Sequence, residues 1–226
     1  MTSPHAERPI IAIVGGTGRE GKGLAYRWAK AGYSIIIGSR AADKAAAAAS
    51  DLEQLLSLRG RITGASNSDA ASQADIVMLT VPYTAHAEIL ESIKQAARGK
   101  LLIDATVPLQ GGKPTKVQMP PAGSAAQEAR DILGNDVELT AAFHTISYEH
   151  LLRDEPVDCD VLVTGTSPDA RARTVDLVTA AGLKAWDAGP LENSSVSEGL
   201  TSVLIYINKK HGSRHAGIRI TGVGAT

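Results

Sequence analysis

An unbroken apolar run, Ile10-Ile11-Ala12-Ile13-Val14, passes straight into Gly15-Gly16-Thr17-Gly18-Arg19-Glu20-Gly21 and then into a stretch of helical character. A strand feeding a Gly-x-Gly-x-x-Gly turn and a helix leaves few folds open, because together they build a cradle for a dinucleotide. Gly16 permits the tight turn, Gly18 lets a pyrophosphate approach bare backbone, and Gly21 lets the helix lie close to the strand. The N–H groups that open the helix have no intrahelical acceptor and face the bound anion, with Thr17, Arg19 and Glu20 in the same turn. An ordinary glycine-rich turn is the bland alternative, but it needs neither the strand before nor the helix after.

The end of the second strand chooses between dinucleotides. That strand, Tyr33 to Ile37, runs into Gly38-Ser39-Arg40. A site for NAD places Asp or Glu near this point to hold the ribose 2′-hydroxyl, whereas a 2′-phosphate calls for cations and hydroxyls. The acid is missing here. Ser39, Arg40 and, one helical turn on, Lys44 can converge on a single phosphate. Cations at a helix start oppose its dipole, so a solvated basic helix start explains them less well than a function does. NADP(H) is therefore the expected cofactor.

Strands and helices alternate down the chain, and the strands are short continuous runs of Val, Ile and Leu, as parallel strands covered on both faces require. Strands are expected at Ile10–Val14, Ser34–Ile37, Arg61–Gly64, Ile76–Val81, Leu101–Asp104, Val137–Ala141, Asp160–Thr164 and Lys184–Trp186. Helices fill the intervals, among them Asp43–Leu58, Ser124–Leu133, Pro168–Ala181 and a last one near Ser195–Lys210, where Ser195 and Glu198 have capping-box spacing. Val196, Leu200, Val203, Leu204 and Ile207 repeat along this helix at helical period, which reads as core or dimer packing. The fold class is α/β: a Rossmann-type, doubly wound, mostly parallel sheet with a smaller C-terminal α/β part. The expected division is a flexible leader over 1–9, an NADP-binding domain over 10–145 and a cleft-forming C-terminal domain over 146–226, with a frayed tail from Gly222.

Composition narrows the partners. A chain of 226 residues with a formal net charge of −1 has no global field to draw nucleic acid or anionic membrane, and neither partner is expected. No apolar run reaches the length of a membrane span, and the first nine residues lack the apolar core of a signal peptide. The single cysteine, Cys159, excludes an intrachain disulfide and fits a reducing compartment, so a cytoplasmic location is expected. With two Trp, five Tyr and one Phe, aliphatic walls and backbone rather than aromatic sandwiches must shape any pocket.

Ligands in an open α/β sheet sit at the carboxyl ends of the strands. Three such ends carry candidates: Thr80-Val81-Pro82 with His86, then Asp104-Ala105-Thr106, then His144-Thr145-Ile146-Ser147-Tyr148. They are expected to surround the nicotinamide, with Thr80, Val81, Pro82 and His86 among the cofactor-binding residues. His144, at a strand end facing the cleft, is the first candidate for a catalytic or orienting group; a hydrogen-bonded structural histidine is the competing reading. Asp104 suits the capping of a turn better than a ligand contact. His211 and His215 have no third partner, and no metal site is assigned. The connection Val107–Gly123, with Gly111-Gly112 and Pro108, Pro114, Pro120 and Pro121, is expected to flank the substrate cavity.

With these residues in view, the chain resembles the NADPH-dependent reductases of the deazaflavin coenzyme F420, over nearly its whole length. The resemblance rests on Gly15-Gly16-Thr17-Gly18 with Gly21-Lys22-Gly23-Leu24-Ala25, on Gly38-Ser39-Arg40 with Lys44, on Leu79-Thr80-Val81-Pro82 and on His144-Thr145-Ile146. Asp187-Ala188-Gly189-Pro190-Leu191, Asn193-Ser194 and Glu198-Gly199-Leu200-Thr201 extend it toward the C-terminus. It implies that Thr17, Gly18, Arg19 and Glu20 lie along the pyrophosphate, that Ser39, Arg40 and Lys44 take the 2′-phosphate, and that Ile146 and Tyr148 flank the nicotinamide. It further implies a homodimer and hydride transfer between NADP(H) and coenzyme F420, with His144 as a positioning group. Ser147 and Tyr148 depart from the family pattern, where small or proline residues are more usual. Two other activities fit the residues alone: reduction of a small imine or ketone, with Tyr148 or His144 as proton donor, and NADP(H) binding without catalysis in a redox-sensing module.

Overall fold

The computed structural model describes residues 8–109 and 112–223. Most of the expected leader, part of Val107–Gly123 and the end of the expected tail lie outside the described residues. The strands are β1 (Ile11–Val14), β2 (Ile35–Ser39), β3 (Ile62–Ser66), β4 (Ile76–Leu79), β5 (Leu101–Asp104), β6 (Glu138–Ala141), β7 (Asp160–Gly165) and β8 (Lys184–Pro190). The helices are α1 (Arg19–Lys30), α2 (Ala42–Leu56), α3 (Asn67–Gln73), α4 (Tyr83–Ala97), α5 (Ala125–Leu133), α6 (Tyr148–Leu151), α7 (Pro168–Ala180) and α8 (Ser194–His211).

All the strands belong to a single sheet in the order β3-β2-β1-β4-β5-β6-β7-β8. Neighbours are parallel except β6 and β7, which pair antiparallel through Thr140 with Gly165 and Ala141 with Thr164. The C-terminal strands thus continue the N-terminal sheet. From β1 the chain steps outward through β2 to β3, then returns to lay β4 on the other flank of β1. Connections leaving in opposite directions open a crevice at the carboxyl ends of β1 and β4, where an open α/β sheet takes its ligand.

Burial explains why the strand pattern is so plain. Every residue of β1, β2, β4 and β5 is buried, so alternation disappears and apolar runs remain. On one face Leu24 and Trp28 of α1 enter the core; Trp28 meets Phe143 edge to face at 5.9 Å, and its Nε1–H donates to the Leu177 carbonyl at 2.8 Å. On the other, Ile89, Leu90 and Ile93 of α4 pack with Ala126, Ala129 and Leu133 of α5.

The start of α8 departs from the expected capping box. A 3-10 turn, Leu191–Asn193, runs directly into α8, so the N–H groups that Ser195 and Glu198 would satisfy already lie within a helical turn. Ser195 Oγ donates instead to the Glu192 carbonyl at 3.0 Å. Glu198 is fully buried and caps a different helix, accepting from the N–H groups of Ala125 (2.7 Å) and Ala126 (3.1 Å) at the head of α5. Burial pushes its carboxyl up to about 8 in spite of these donors.

Candidate active site

The glycine turn divides its labour differently from the sequence reading. The left-handed residue is Gly15, at φ +75°, where a Cβ would come within 2.6 Å of Val81 Cγ1. Gly16 lies behind the surface of the cleft, its N–H shared between the carbonyls of Ile13 (3.1 Å) and Gly38 (3.0 Å). Gly21 makes the expected close approach: a Cβ there would sit 2.6 Å from Gly16 Cα, so any side chain drives α1 off the strand. Gly18 is the N-cap of α1 and supplies no side-chain hydrogen bond. A Cβ on it would meet nothing nearer than the Gly15 carbonyl at 3.6 Å, so bare backbone and open N–H groups face outward.

That face opens into a cleft of about 920 Å³. Thr17, Gly18, Arg19, Glu20 and Gly21 line it from the turn and the head of α1, Ser39 and Arg40 from the end of β2, Lys44 from the first turn of α2, Thr80, Val81 and Pro82 from the segment after β4, and His144, Ile146 and Tyr148 from the segment after β6. Of the residues expected around the cofactor, Gly16, His86, Asp104 and Thr106 do not reach its surface.

His86 is fully buried behind the wall, and both ring nitrogens are taken. Nε2 meets Asp104 Oδ2 at 2.8 Å and Nδ1 meets Glu128 Oε1 at 3.4 Å, while the Tyr83 hydroxyl donates to the other oxygen of Glu128 at 2.8 Å. Desolvation alone lowers an imidazole pKa; here Asp104 and then Glu128 outweigh it and hold His86 above its ordinary value. Asp104, also fully desolvated, is held below the usual carboxylate range by the same partner and by the Thr106 N–H, which donates to Oδ1 at 2.8 Å. Asp104 therefore does cap a turn, and that turn starts the Ala105–Leu109 side of the cleft.

His144 is in the opposite state. Desolvation drives its pKa down to about 4, Asp104 opposing, so the ring is neutral at physiological pH. Nδ1 stands 3.3 Å from Ser197 Oγ, whereas Nε2 is buried and has no hydrogen-bond partner among the described residues. A buried polar atom left without a partner is rare in a folded chain and marks His144 as the group in this wall with unused hydrogen-bonding capacity. Glu20, in the first turn of α1, is pushed up to about 8 by desolvation and by Asp104, so its carboxyl is largely protonated at neutral pH. Glu20 and His144 thus present the cleft with polar groups that are largely uncharged at neutral pH, while Arg40 and Lys44 bring cations to the residues after β2.

Several lining residues escaped the sequence reading. Asn67, at the head of α3, accepts from the Gly15 N–H at 3.3 Å and steadies the turn. Thr201, Leu204, Ile205 and Asn208 bring α8 across the cleft, and Arg214 and Ala216 follow from beyond it. Helical period alone marks Leu204 as inward but gives no sign that a helix this late in the chain closes a cleft begun by the first strand.

Comparison with known proteins places these features. The family described as NADP oxidoreductase, coenzyme F420-dependent, matches residues 10–108. Over 223 residues the chain is 44% identical to an F420-dependent NADP reductase of Methanothermobacter thermautotrophicus, covering 94% of this chain and 95% of that protein. A reductase of the same name from Methanocaldococcus jannaschii is 40% identical over 221 residues, 94% of this chain and 98% of its own. A crystal structure from Arthrobacter sp. FB24 has the same fold, with a TM-score of 0.79 at 22% identity over 95% of this chain and all of that one.

Proposed function

The chain belongs to the family of F420-dependent NADP reductases, and on that premise we propose that it transfers a hydride between NADP(H) and the deazaflavin coenzyme F420 in this cleft. The carrying observation is the gradient along it: cations and a hydroxyl at the end of β2, open helix N–H groups in the middle, uncharged polar groups and aliphatic walls at the depth. Ser39, Arg40 and Lys44 hold the 2′-phosphate, and the head of α1 takes the pyrophosphate. Thr80, Val81 and Pro82 bound the nicotinamide on one side, Ile146 and Tyr148 on the other. When bound, the two cofactors supply the carbon that gives the hydride and the carbon that receives it. The protein holds the rings in contact and keeps water out; orientation of this kind is worth up to roughly 7–11 kcal/mol of a barrier. His144 is a positioning group, a neutral ring whose Nε2 keeps its hydrogen-bonding capacity unused among the described residues. Residues 146–226 complete the second wall.

The test is direct. Purified protein mixed with NADPH and F420, or its simpler deazaflavin precursor, bleaches the deazaflavin absorbance. NADPH binding without bleaching by either refutes the reading.

We further infer a homodimer in the cytoplasm. Helix α8 gives Leu204 to the cleft but leaves Val196, Val203, Tyr206 and Ile207 between 39% and 63% exposed, an apolar face that a second copy would cover. No described helix is long and apolar enough to cross a membrane. Sedimentation is expected to give a dimer for the native protein and a monomer for Val203→Glu; a monomeric native protein refutes the assignment.

A further inference from the structure

Across the mouth of the cleft the Arg19 guanidinium is held by Tyr148. Nη1 donates to the Tyr148 hydroxyl at 2.8 Å, and the guanidinium carbon lies 5.3 Å from the ring centroid. No carboxylate pairs with Arg19 among the described residues; the contact that holds it is the phenol. A phenol is an unusual choice of holder, and its chemistry is informative. It fixes the guanidinium by one of its five N–H donors and leaves the positive charge uncompensated.

The holder itself stands on a fixed base. Arg27, two turns along α1 from Arg19, donates to the carbonyls of His150 (2.8 Å), Leu151 (3.0 Å), Arg153 (2.9 Å) and Ala181 (2.9 Å), which staples the segment after Tyr148 to α1. Gly23 makes room for the contact, since a Cβ there would fall 2.4 Å from Leu151 Cβ. Tyr26 adds a hydrogen bond to Asp154 at 2.9 Å. Tyr148 therefore does not drift relative to the head of α1, and neither does the charge it holds.

We propose that Tyr148 is a positioning residue that pre-sets Arg19 over the head of α1 so that the guanidinium pairs with the pyrophosphate of the bound dinucleotide. This rests on the reading that NADP(H) occupies the cleft with its pyrophosphate at α1. Arg19 adds a full positive charge to the open N–H groups of the helix, and the clasp removes the ordering cost of a long side chain before the ligand arrives.

A double-mutant cycle tests it. NADPH dissociation constants are measured for the native protein, Tyr148→Phe, Arg19→Met and the double variant, with 2′-AMP, which lacks the pyrophosphate, as a second ligand. Each single change is expected to weaken NADPH roughly five- to tenfold, and the double variant to be no weaker than Arg19→Met alone, because Tyr148 acts through Arg19. Affinity for 2′-AMP and the melting temperature stay as in the native protein. Independent, multiplying effects of the two substitutions overturn the proposal, as does an equal loss of 2′-AMP affinity or an effect on the KM of the acceptor alone. Failure of the native protein to bind both NADPH and 2′-AMP overturns instead the reading on which it rests.

Discussion

Arg40→Asp is expected to turn the preference for NADPH over NADH around by roughly two to three powers of ten in the ratio of kcat/KM. Charge-assisted hydrogen bonds are worth about 1.5–3 kcal/mol each, and an exposed guanidinium sits at the lower end of that range. Losing it and placing a carboxylate against the 2′-phosphate costs NADPH about 2 kcal/mol, while the same carboxylate gives NADH the ribose-hydroxyl acceptor that this chain lacks. Lys44 keeps residual attraction for the phosphate, so binding of NADPH weakens without vanishing. Initial rates with the two reduced dinucleotides check the result, and an unchanged ratio removes Arg40 from the 2′-phosphate site.

Asp104→Asn is expected to lower stability by about 3 kcal/mol, since removing one member of a buried ion pair leaves the other without compensation. For a chain of this size that is a fall in melting temperature of roughly 6–12 °C. The pH dependence carries its own sign. The folded pKa of His86 lies above its ordinary 6.5, so the stabilisation from its charge is complete below about 6.5 and is lost as pH rises through the folded value. The native protein should therefore lose this contribution as pH rises beyond 6.5. In Asp104→Asn the slope should be shallower, with only Glu128 left beside the ring. Thermal melts from pH 6 to pH 9 distinguish the two; parallel slopes would show that His86 is not the titrating group.

Residues 10–40 were legible because each requirement there is local. Strand, turn and helix follow one another without interruption, and the clearance at Gly21 is set by Gly16 five residues before it; that the left-handed turn falls on Gly15, hemmed in by Thr80 and Val81, could not be read from those neighbours. The central strands β1, β2, β4 and β5 were equally plain, since burial of every residue leaves nearly continuous apolar runs. What escaped depends on distant parts of the chain meeting. Glu198 looked like the partner of Ser195 three residues back but caps α5, more than sixty residues upstream, because only the fold brings α8 against the head of α5. His86 read as a ligand contact because it stands near a strand end; the carboxylates on β5 and α5 that enclose it are invisible at that distance in sequence. The four-residue helix α6 is too short to show a period at all.

Between Ala142 and His144 the backbone passes through Phe143 at φ +73°, a left-handed conformation that a bulky aromatic residue adopts at a cost on the order of 1–3 kcal/mol. Glycine would make the same bend without the penalty, but it would bring no ring to lodge against Trp28. The kink is clamped shut by the core beneath it, and the imidazole next in sequence inherits that rigidity. A substrate entering the cleft consequently meets a wall whose aim was settled during folding and does not have to be renewed at each turnover.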